Sequence, residues 1–495
     1  MHIVEFTNGF ANQLFMLCLY EKLRSTYGPD AVFAERSFFD RYPFLHGGFR
    51  LEKLYPLKFI DRLPEGYIEI NEGNYFTPDP DDDRCFFYHG FWQDEKRFFP
   101  DNTDFVREIL HEDWLSPENQ EILSRIRSTC SVSLHVRRGD FIDHFLQGSI
   151  ATRSYFFNAV NRIRELVEAP SFFVFSDDLD WCRENLDFGD SPAVFVTGNN
   201  ASPELDMLMM SSCRHNIISN SSFSWWSQYL NRNPEKIVIS PEYWYNPGLD
   251  IRPSVDMLNE SSFLHVKNYR AVSSPVEDPF FTILVTVSSQ KNGLVRCMSS
   301  LLNQPFGNIR IMVVVDHVSS DGSQALAEEY AKADARVTLI RKKWYHTFRS
   351  TQMKAVKTAG GSWVLFVDSD DYLSSDALSI LHRELTETPS ETLRFAWRPE
   401  PVWLRGPGRP DPDGQYLWDK CWSRKAAVKI LRDPEHLPVV ENRAGGDSII
   451  YHRTFGKAKP APGAKTPTPP QVRIFRRLKD RLKRCLAPLR NLNGA

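Results

Sequence analysis

Two adjacent arginines, Arg137 and Arg138, stand in the run His135-Val136-Arg137-Arg138-Gly139-Asp140-Phe141. A guanidinium is planar, permanently charged and forked, and its donors match phosphate oxygens. The β-prone run from Cys130 to Leu134 precedes the pair, which therefore falls at the carboxyl end of a strand. Open α/β sheets bind ligands at that edge. The pattern fits a diphosphate clamp, and it fits equally a solvated basic turn with Asp140 as counter-ion. His135 is either an acid–base candidate or a packed, hydrogen-bonded histidine. A second constellation is Asp368-Ser369-Asp370, which closes the apolar run Trp363–Val367. Two carboxylates one residue apart offer hard oxygen ligands for Mg²⁺ or Mn²⁺, ions that bind substrate phosphates while keeping waters. The alternative, a helix N-cap with an acidic first turn, fits Asp371 better than Asp368.

Three further groups are candidates. Asn12 and Gln13 follow a first strand and precede a helix, where they either contact a ligand or bond backbone in a turn. Ser221, Ser222 and Ser224 open a helix whose hydroxyls and amides could hold phosphate without charge; the alternative is an N-cap leading into a core pair, Trp225 and Trp226, and for the tryptophans the core reading is preferred. Asp177 and Asp178, and likewise Glu204 and Asp206, read as capping groups or as sugar contacts.

The elements that must position these groups alternate as in an α/β protein. Strands are expected at Ser131–Val136, Phe172–Phe175, Ala193–Val196, Asn216–Ser219 and Lys236–Ile239, and helices at Asn12–Thr26, Ser154–Val167 and Trp225–Asn231. The N-terminal MHIVEF reads as a strand and not as a signal peptide. At 495 residues the chain has room for two to four domains. Its 42% hydrophobic and 25% charged residues are ordinary for a soluble globular protein. A net charge of −3 supplies no basic field for nucleic acid. Eight scattered cysteines without zinc spacing point to reduced thiols. No apolar run is long enough to predict a membrane-spanning helix.

Five blocks in order resemble the bacterial alpha-1,2-fucosyltransferases, glycosyltransferase family 11. They are NGFANQLF (8–15), YHGFWQDEKRF (88–98), HVRRGDF (135–141), FVFSDDLDWCREN (173–185), and DMLMMSSCRHNIISNSSFSWWSQYLN (206–231) with KIVISPEYWYN behind it. Asn8 and Ala11 stand where that family usually has glycine. The resemblance implies a GT-B-like double Rossmann domain over residues 1–265. It would invert the anomeric centre while moving L-fucose from GDP-fucose to a galactose-type hydroxyl in an alpha-1,2 linkage, without a cofactor. On this reading Arg137, Arg138, Asn12, Gln13, Ser221, Ser222 and Ser224 bind the donor. Asp140 and His135 are the catalytic candidates, although Asp140 could instead orient an arginine.

A linker is expected at 266–279, carrying Ser273, Ser274, Pro275 and Pro279. Beyond it, FTILVTVSSQKNGLVRCMSSLLNQPF, IRIMVVVDHVSSDGS and GSWVLFVDSDDYL resemble family 2 glycosyltransferases of GT-A type, over 280–456. That resemblance implies a Mn²⁺ or Mg²⁺ site at Asp368 and Asp370, a nucleotide contact at Asp316, a base at Asp447 and a second nucleotide sugar. The departures are Thr286 for proline, His317 and Val318 after Asp316, Gln352 and Met353 for an Arg-Asn pair, and Gly446 for glutamate. They leave open an unusual donor or a lost activity.

A proline-rich linker follows at 457–470 and a basic tail at 471–495. The tail has eight Lys or Arg and one Asp, a local +7, with Val472, Phe475, Leu478, Leu482, Leu486 and Leu489 along one helical face. It is expected to bind an anionic membrane surface; a solvated or packed tail is the alternative. The expected protein is a fused glycosyltransferase, cytoplasmic and peripheral on the inner membrane's cytoplasmic face. It would serve surface polysaccharide or O-antigen synthesis on a galactose-terminated glycan or lipid-linked oligosaccharide. The rival readings are a catalytically inactive sugar- or nucleotide-binding scaffold, or activity in one half alone.

Overall fold

The computed structural model describes residues 1–394 apart from 44–46, 143–146, 149, 200–201, 247–257, 317–318, 344–346, 359, 388–391; beyond 394 it describes only the strand segments 397–399, 420–423, 442–443 and 450–452. Contacts divide the chain into one unit of 1–398 with 414–452 and another of 399–413 with 453–495. Only the end of one strand of the second unit is described. Asp447, the proline-rich linker and the basic tail therefore lie outside the described residues.

The first region is built on two parallel sheets. One has the order β2-β1-β4-β3, from β1 (His2–Glu5), β2 (Val32–Glu35), β3 (Ile68–Ile70) and β4 (Phe86–Tyr88). The other has the order β10-β9-β8-β5-β6-β7, from β5 (Ser131–Val136), β6 (Ser171–Ser176), β7 (Ala193–Phe195), β8 (His215–Ile217), β9 (Val238–Pro241) and β10 (Leu264–Val266). Parallel strands need crossovers, and helices supply them. These are α1 (Phe10–Tyr27), α2 (Pro117–Ser128), α3 (Arg153–Leu166), α4 (Leu179–Asn185), α5 (Pro203–Ser211) and α6 (Ser222–Leu230).

The two sheets meet through α1 and α6, each of which leaves the carboxyl end of a strand. Phe15, in the second turn of α1, has its ring centroid 5.2 Å from Trp225 and 4.9 Å from Trp226 near the start of α6. Both tryptophans are buried, as the core reading of them anticipated. Two parallel sheets with helical crossovers, joined through α1 and α6, are the double α/β layout expected of the first region.

The second region is a third parallel array in the order β13-β12-β11-β14, from β11 (Phe281–Val287), β12 (Ile309–Asp316), β13 (Val337–Lys342) and β14 (Trp363–Asp368). Helices α7 (Lys291–Leu302), α8 (Ser323–Ala333) and α9 (Phe348–Thr358) connect these strands, and Lys420–Ser423 pairs antiparallel with β14. Its hydrophobic core includes Phe281, Ile283, Val313 and Leu365. This is the α/β architecture expected of the second half.

The stretch read as a linker is partly built into this structure. Asn268 is buried, and its Nδ2 donates to Ser299 Oγ on α7 at 2.9 Å. The Asn268 carbonyl accepts from Thr152 Oγ1 on the first region and from Asn303 Nδ2 on the second. Asn158 Nδ2 on α3 donates to the carbonyls of Lys267 and Tyr269. Cys18, Cys85, Cys130, Cys182, Cys213 and Cys297 are free thiols. Among the described residues no helix is long and apolar enough to cross a membrane.

Candidate functional site

All six residues of β5 are buried, the arginines after them are half-buried, and the chain becomes exposed at Gly139. The turn they occupy is held from the next strand. Asp177, just past the end of β6, accepts from the amides of Arg138 (2.9 Å) and Gly139 (3.1 Å) and pairs with Arg137 Nη1 at 3.0 Å. A Cβ at residue 139 would lie 2.8 Å from Asp177 Oδ2, so the approach requires glycine. Asp178 pairs with Arg138 Nε at 3.0 Å and caps α4 through the Trp181 amide. Burial pushes the Asp178 carboxyl up, but the Trp181 amide and the Arg138 guanidinium outweigh it and hold the group below the usual carboxylate range. Arg138 also lies 4.0 Å from the Trp181 ring centroid. Asp140 binds Nε and Nη2 of Arg137 at 3.0 and 2.8 Å.

Two guanidiniums and three carboxylates therefore form one partly exposed cluster of formal charge −1. The carboxylates engage all three nitrogens of Arg137 and Nε of Arg138, which fixes both guanidiniums in direction, so that an incoming diphosphate meets oriented charges. The FSDD aspartates, ambiguous in sequence, are the partners that set this alignment.

Two of the candidates face the interior instead. His135 is 7% exposed, and its Nδ1 meets Ser224 Oγ at 2.9 Å and Ser219 Oγ at 3.1 Å. Burial, with a smaller push from the Arg137 charge, lowers its pKa to about 3. It is a neutral packed group, which corrects its reading as an acid–base candidate. Ser224 is 0% exposed and bonds His135 together with the Ser219 and Ser221 carbonyls, so its hydroxyl is not presented to a donor. Ser221 caps α6 through the Phe223 amide, and Ser222 is the half-buried first residue of that helix.

Gln13 needs the same correction. Its amide is fully buried, with Oε1 accepting from Arg50 N and Nε2 donating to the Asn8 and Gly48 carbonyls. It pins two loops and has no atom exposed for a ligand. Asn12 is half-buried and accepts from Gln93 Nε2 at 3.0 Å. Asn8 takes φ 60°, so an asparagine, which tolerates the left-handed region, fills a place where glycine was expected.

Sequence reasoning missed one pair. Glu204 at the start of α5 is buried and pairs with Arg50 at 2.6 Å, joining the second sheet's layer to the first. Nearby Asp206 is raised to about 6 by burial against the pull of Asn199, with Glu204 adding to the rise. The only signal was two acids in one first turn, which usually marks a helix start.

In the second region, Asp368 ends β14 opposite Thr286 on β11, and the Thr286 hydroxyl donates to Asp368 Oδ1 at 2.8 Å. Gln290 Nε2 donates to Asp370 Oδ2 at 3.2 Å, while Ser369 Oγ donates to Gln290 Oε1 at 2.6 Å. Gly293 on α7 allows this turn to approach, since a Cβ there would lie 2.8 Å from the Ser369 carbonyl. Asp368 is exposed and Asp370 half-buried. Two hard oxygen donors of this kind fit a Mg²⁺ or Mn²⁺ that completes its shell with water and substrate phosphates. Among the described residues no group of three or more His, Cys, Asp or Glu is placed to hold a metal. Asp316 pairs with Lys342 at 3.1 Å.

Comparison with known proteins agrees with the division at the third sheet. Residues 38–250 match the sequence model of Glycosyl transferase family 11, and residues 282–407 match that of Glycosyl transferase family 2. The chain is 37% identical over 163 residues to an alpha-1,2-colitosyltransferase of Escherichia coli, covering 32% of this chain and 55% of that protein. It is 35% identical over 120 residues to an O-antigen biosynthesis glycosyltransferase of Escherichia coli, covering 23% and 39%. It is 35% identical over 145 residues to galactoside alpha-(1,2)-fucosyltransferase 1 of Saimiri boliviensis boliviensis, covering 27% and 40%. The matches thus span between 39% and 55% of these curated relatives.

Proposed function

We propose that this chain, in which a glycosyl transferase family 11 region is fused to a family 2 region, transfers L-fucose from GDP-fucose to a galactose-type hydroxyl in surface polysaccharide synthesis. One observation carries the reading: the Arg137–Arg138 pair, oriented by three aspartates at the carboxyl edge of a parallel sheet. As the glycosidic bond breaks, negative charge develops on the departing diphosphate. Fixed guanidinium donors stabilise that charge more than the ground state, which lowers the barrier. Asp140 acts by holding the Arg137 fork through both Nε and Nη2.

The donor class has a close second member. Colitose is L-fucose without its 3-hydroxyl, and one relative is named a colitosyltransferase. The test is transfer from GDP-fucose and from GDP-colitose to a β-galactoside, each with and without chelator. Turnover that survives chelation and is lost in Arg137→Ala supports the reading. GDP binding without any transfer favours the scaffold alternative.

In the second region, Asp368 and Asp370 would hold a divalent cation, which when bound neutralises a nucleotide-sugar diphosphate. Thr286 and Gln290 orient those carboxylates. A second sugar transfer there, and membrane attachment through residues 471–495, belong to the same proposal.

A further inference from the structure

The block from Tyr88 to Phe98 serves neither the arginine turn nor the Asp368–Asp370 turn. It leaves the carboxyl end of β4, which lies beside β1 with Val4 opposite Tyr88. Its loop therefore emerges at the same sheet edge as Asn8–Asn12, and the Gln93–Asn12 hydrogen bond ties the two together at 3.0 Å. Through α1 and Trp225 this edge reaches the start of α6, and Ser224 there bonds His135 on β5.

Phe91 in this loop is 49% exposed, although the residues after it, Trp92 and Gln93, are buried. One exposed aromatic ring is unremarkable by itself. Its backbone is not. Trp92 takes φ 60°, which a bulky residue rarely adopts, and Gly90 takes φ 150°. Glu72, itself buried, accepts the amides of Phe91 and Trp92 on one oxygen at 2.6 and 2.8 Å. A Cβ on Gly90 would collide with that same carboxylate. The Trp92 ring packs inward, with its centroid 5.0 Å from that of Phe98. A buried carboxylate, a glycine and a left-handed tryptophan thus combine to keep Phe91 at the surface. A tryptophan held in the left-handed region persists only where the surroundings over-determine it, and such positions cluster at ligand sites.

The chemistry of the acceptor explains such a ring. A galactopyranoside carries its C3, C4 and C5 hydrogens on one face, which makes an apolar patch. The negative face of an aromatic ring attracts those partly positive hydrogens. The equatorial 2-hydroxyl lies outside the patch and stays open to react. Resting on the transferase reading above, we propose that Phe91 is the stacking platform for a galactose-type acceptor, with Glu72 and Gly90 as its positioning residues.

The test uses the full chain with methyl β-D-galactoside as probe, its affinity measured by NMR titration in the presence of GDP. Phe91→Ala and Phe91→Leu should weaken the galactoside about tenfold, the loss of one stacked face. Phe91→Tyr should retain it, and GDP affinity should be unchanged in all three. Where transfer is measurable, the effect should fall on the KM for galactoside and not on that for GDP-fucose. Galactoside binding that is absent in wild type, or equal in wild type, Phe91→Ala and Phe91→Leu, overturns the platform. A wild type that transfers fucose while Phe91→Leu keeps its galactoside KM also overturns the platform and leaves the transferase reading intact. Phe91-dependent galactoside binding without transfer does the reverse.

Discussion

Removing the Asp177 carboxylate tests the arginine clamp most sharply. Asp177→Ala releases the amides of Arg138 and Gly139 and one arm of Arg137 at once. Hydrogen bonds to a charged acceptor are worth about 1.5–3 kcal/mol when shielded. The Asp177 side chain is 25% exposed, so about 1 kcal/mol for each of the three contacts, roughly 3 in all, is the better figure. One effect opposes the loss. The cluster goes from −1 to neutral, which favours a bound diphosphate by about 1 kcal/mol or less in screened surroundings. The net is about 2 kcal/mol, or roughly 30-fold in kcat/KM for GDP-fucose. The assay is initial-rate kinetics over donor concentration, with thermal melts to verify folding. Because the remaining attraction is less directional, the variant should also lose affinity more steeply as salt rises. Gly139→Ala pushes against the same oxygen from the other side, so the two changes should be far from additive in a double-mutant cycle. Donor kinetics in Asp177→Ala within about threefold of wild type, or full additivity with Gly139→Ala, would refute the idea that Asp177 holds the turn.

Other perturbations reach other parts of the chain. His135 is depressed to about 3 in the fold, so below the ordinary histidine pKa the unfolded chain binds more protons and stability falls as pH drops from about 6.5 towards 3. Asp206, raised to about 6, works in the opposite sense: its folded form holds a proton that the unfolded chain releases, so stability falls as pH rises from about 4 to 6. Asp206→Asn should therefore raise the melting temperature at pH 7 and steepen the acid-side loss; an unchanged melting profile would contradict the burial. Thr286→Val removes the donor to Asp368 and should weaken Mn²⁺ binding in the presence of nucleotide, read by electron paramagnetic resonance; unchanged Mn²⁺ affinity would show that the hydroxyl is idle. Deleting residues 471–495 should release the protein from anionic vesicles and leave transfer to a soluble galactoside unaltered. Equal partitioning with and without the tail would reject the anchor.

The arginine turn was legible because strand, charge and glycine are adjacent in sequence. Its partners were not, since Asp177 reaches Arg138 across 39 positions and nothing local distinguishes it from an ordinary cap. His135 and Ser224 were misplaced for a different reason. His135 lies in a strand buried on both faces, which has no alternation to show where a polar residue points, and Ser224 lies in the first turn of a helix, where a hydroxyl turned inward looks the same in sequence as one turned to a ligand. Gln13 shows the same ambiguity on a helix: α1 is buried round most of its circumference, and a buried amide that satisfies two loops looks like a ligand contact. Strand and helix positions in the first region came close, because parallel sheets with helical crossovers repeat a strong apolar signal.

The hydrogen bonds that Asn268 makes to both regions change what a cut or a swap at this joint would do. Thr152 and Asn158 on one side, and Ser299 and Asn303 on the other, all terminate on residues 267–269. Removing residues 267–269 would leave the buried Ser299 hydroxyl and the half-buried Thr152, Asn158 and Asn303 side chains without these partners. A different partner for the first region would have to supply acceptors for Thr152 and Asn158 in place of the carbonyls of Lys267, Asn268 and Tyr269.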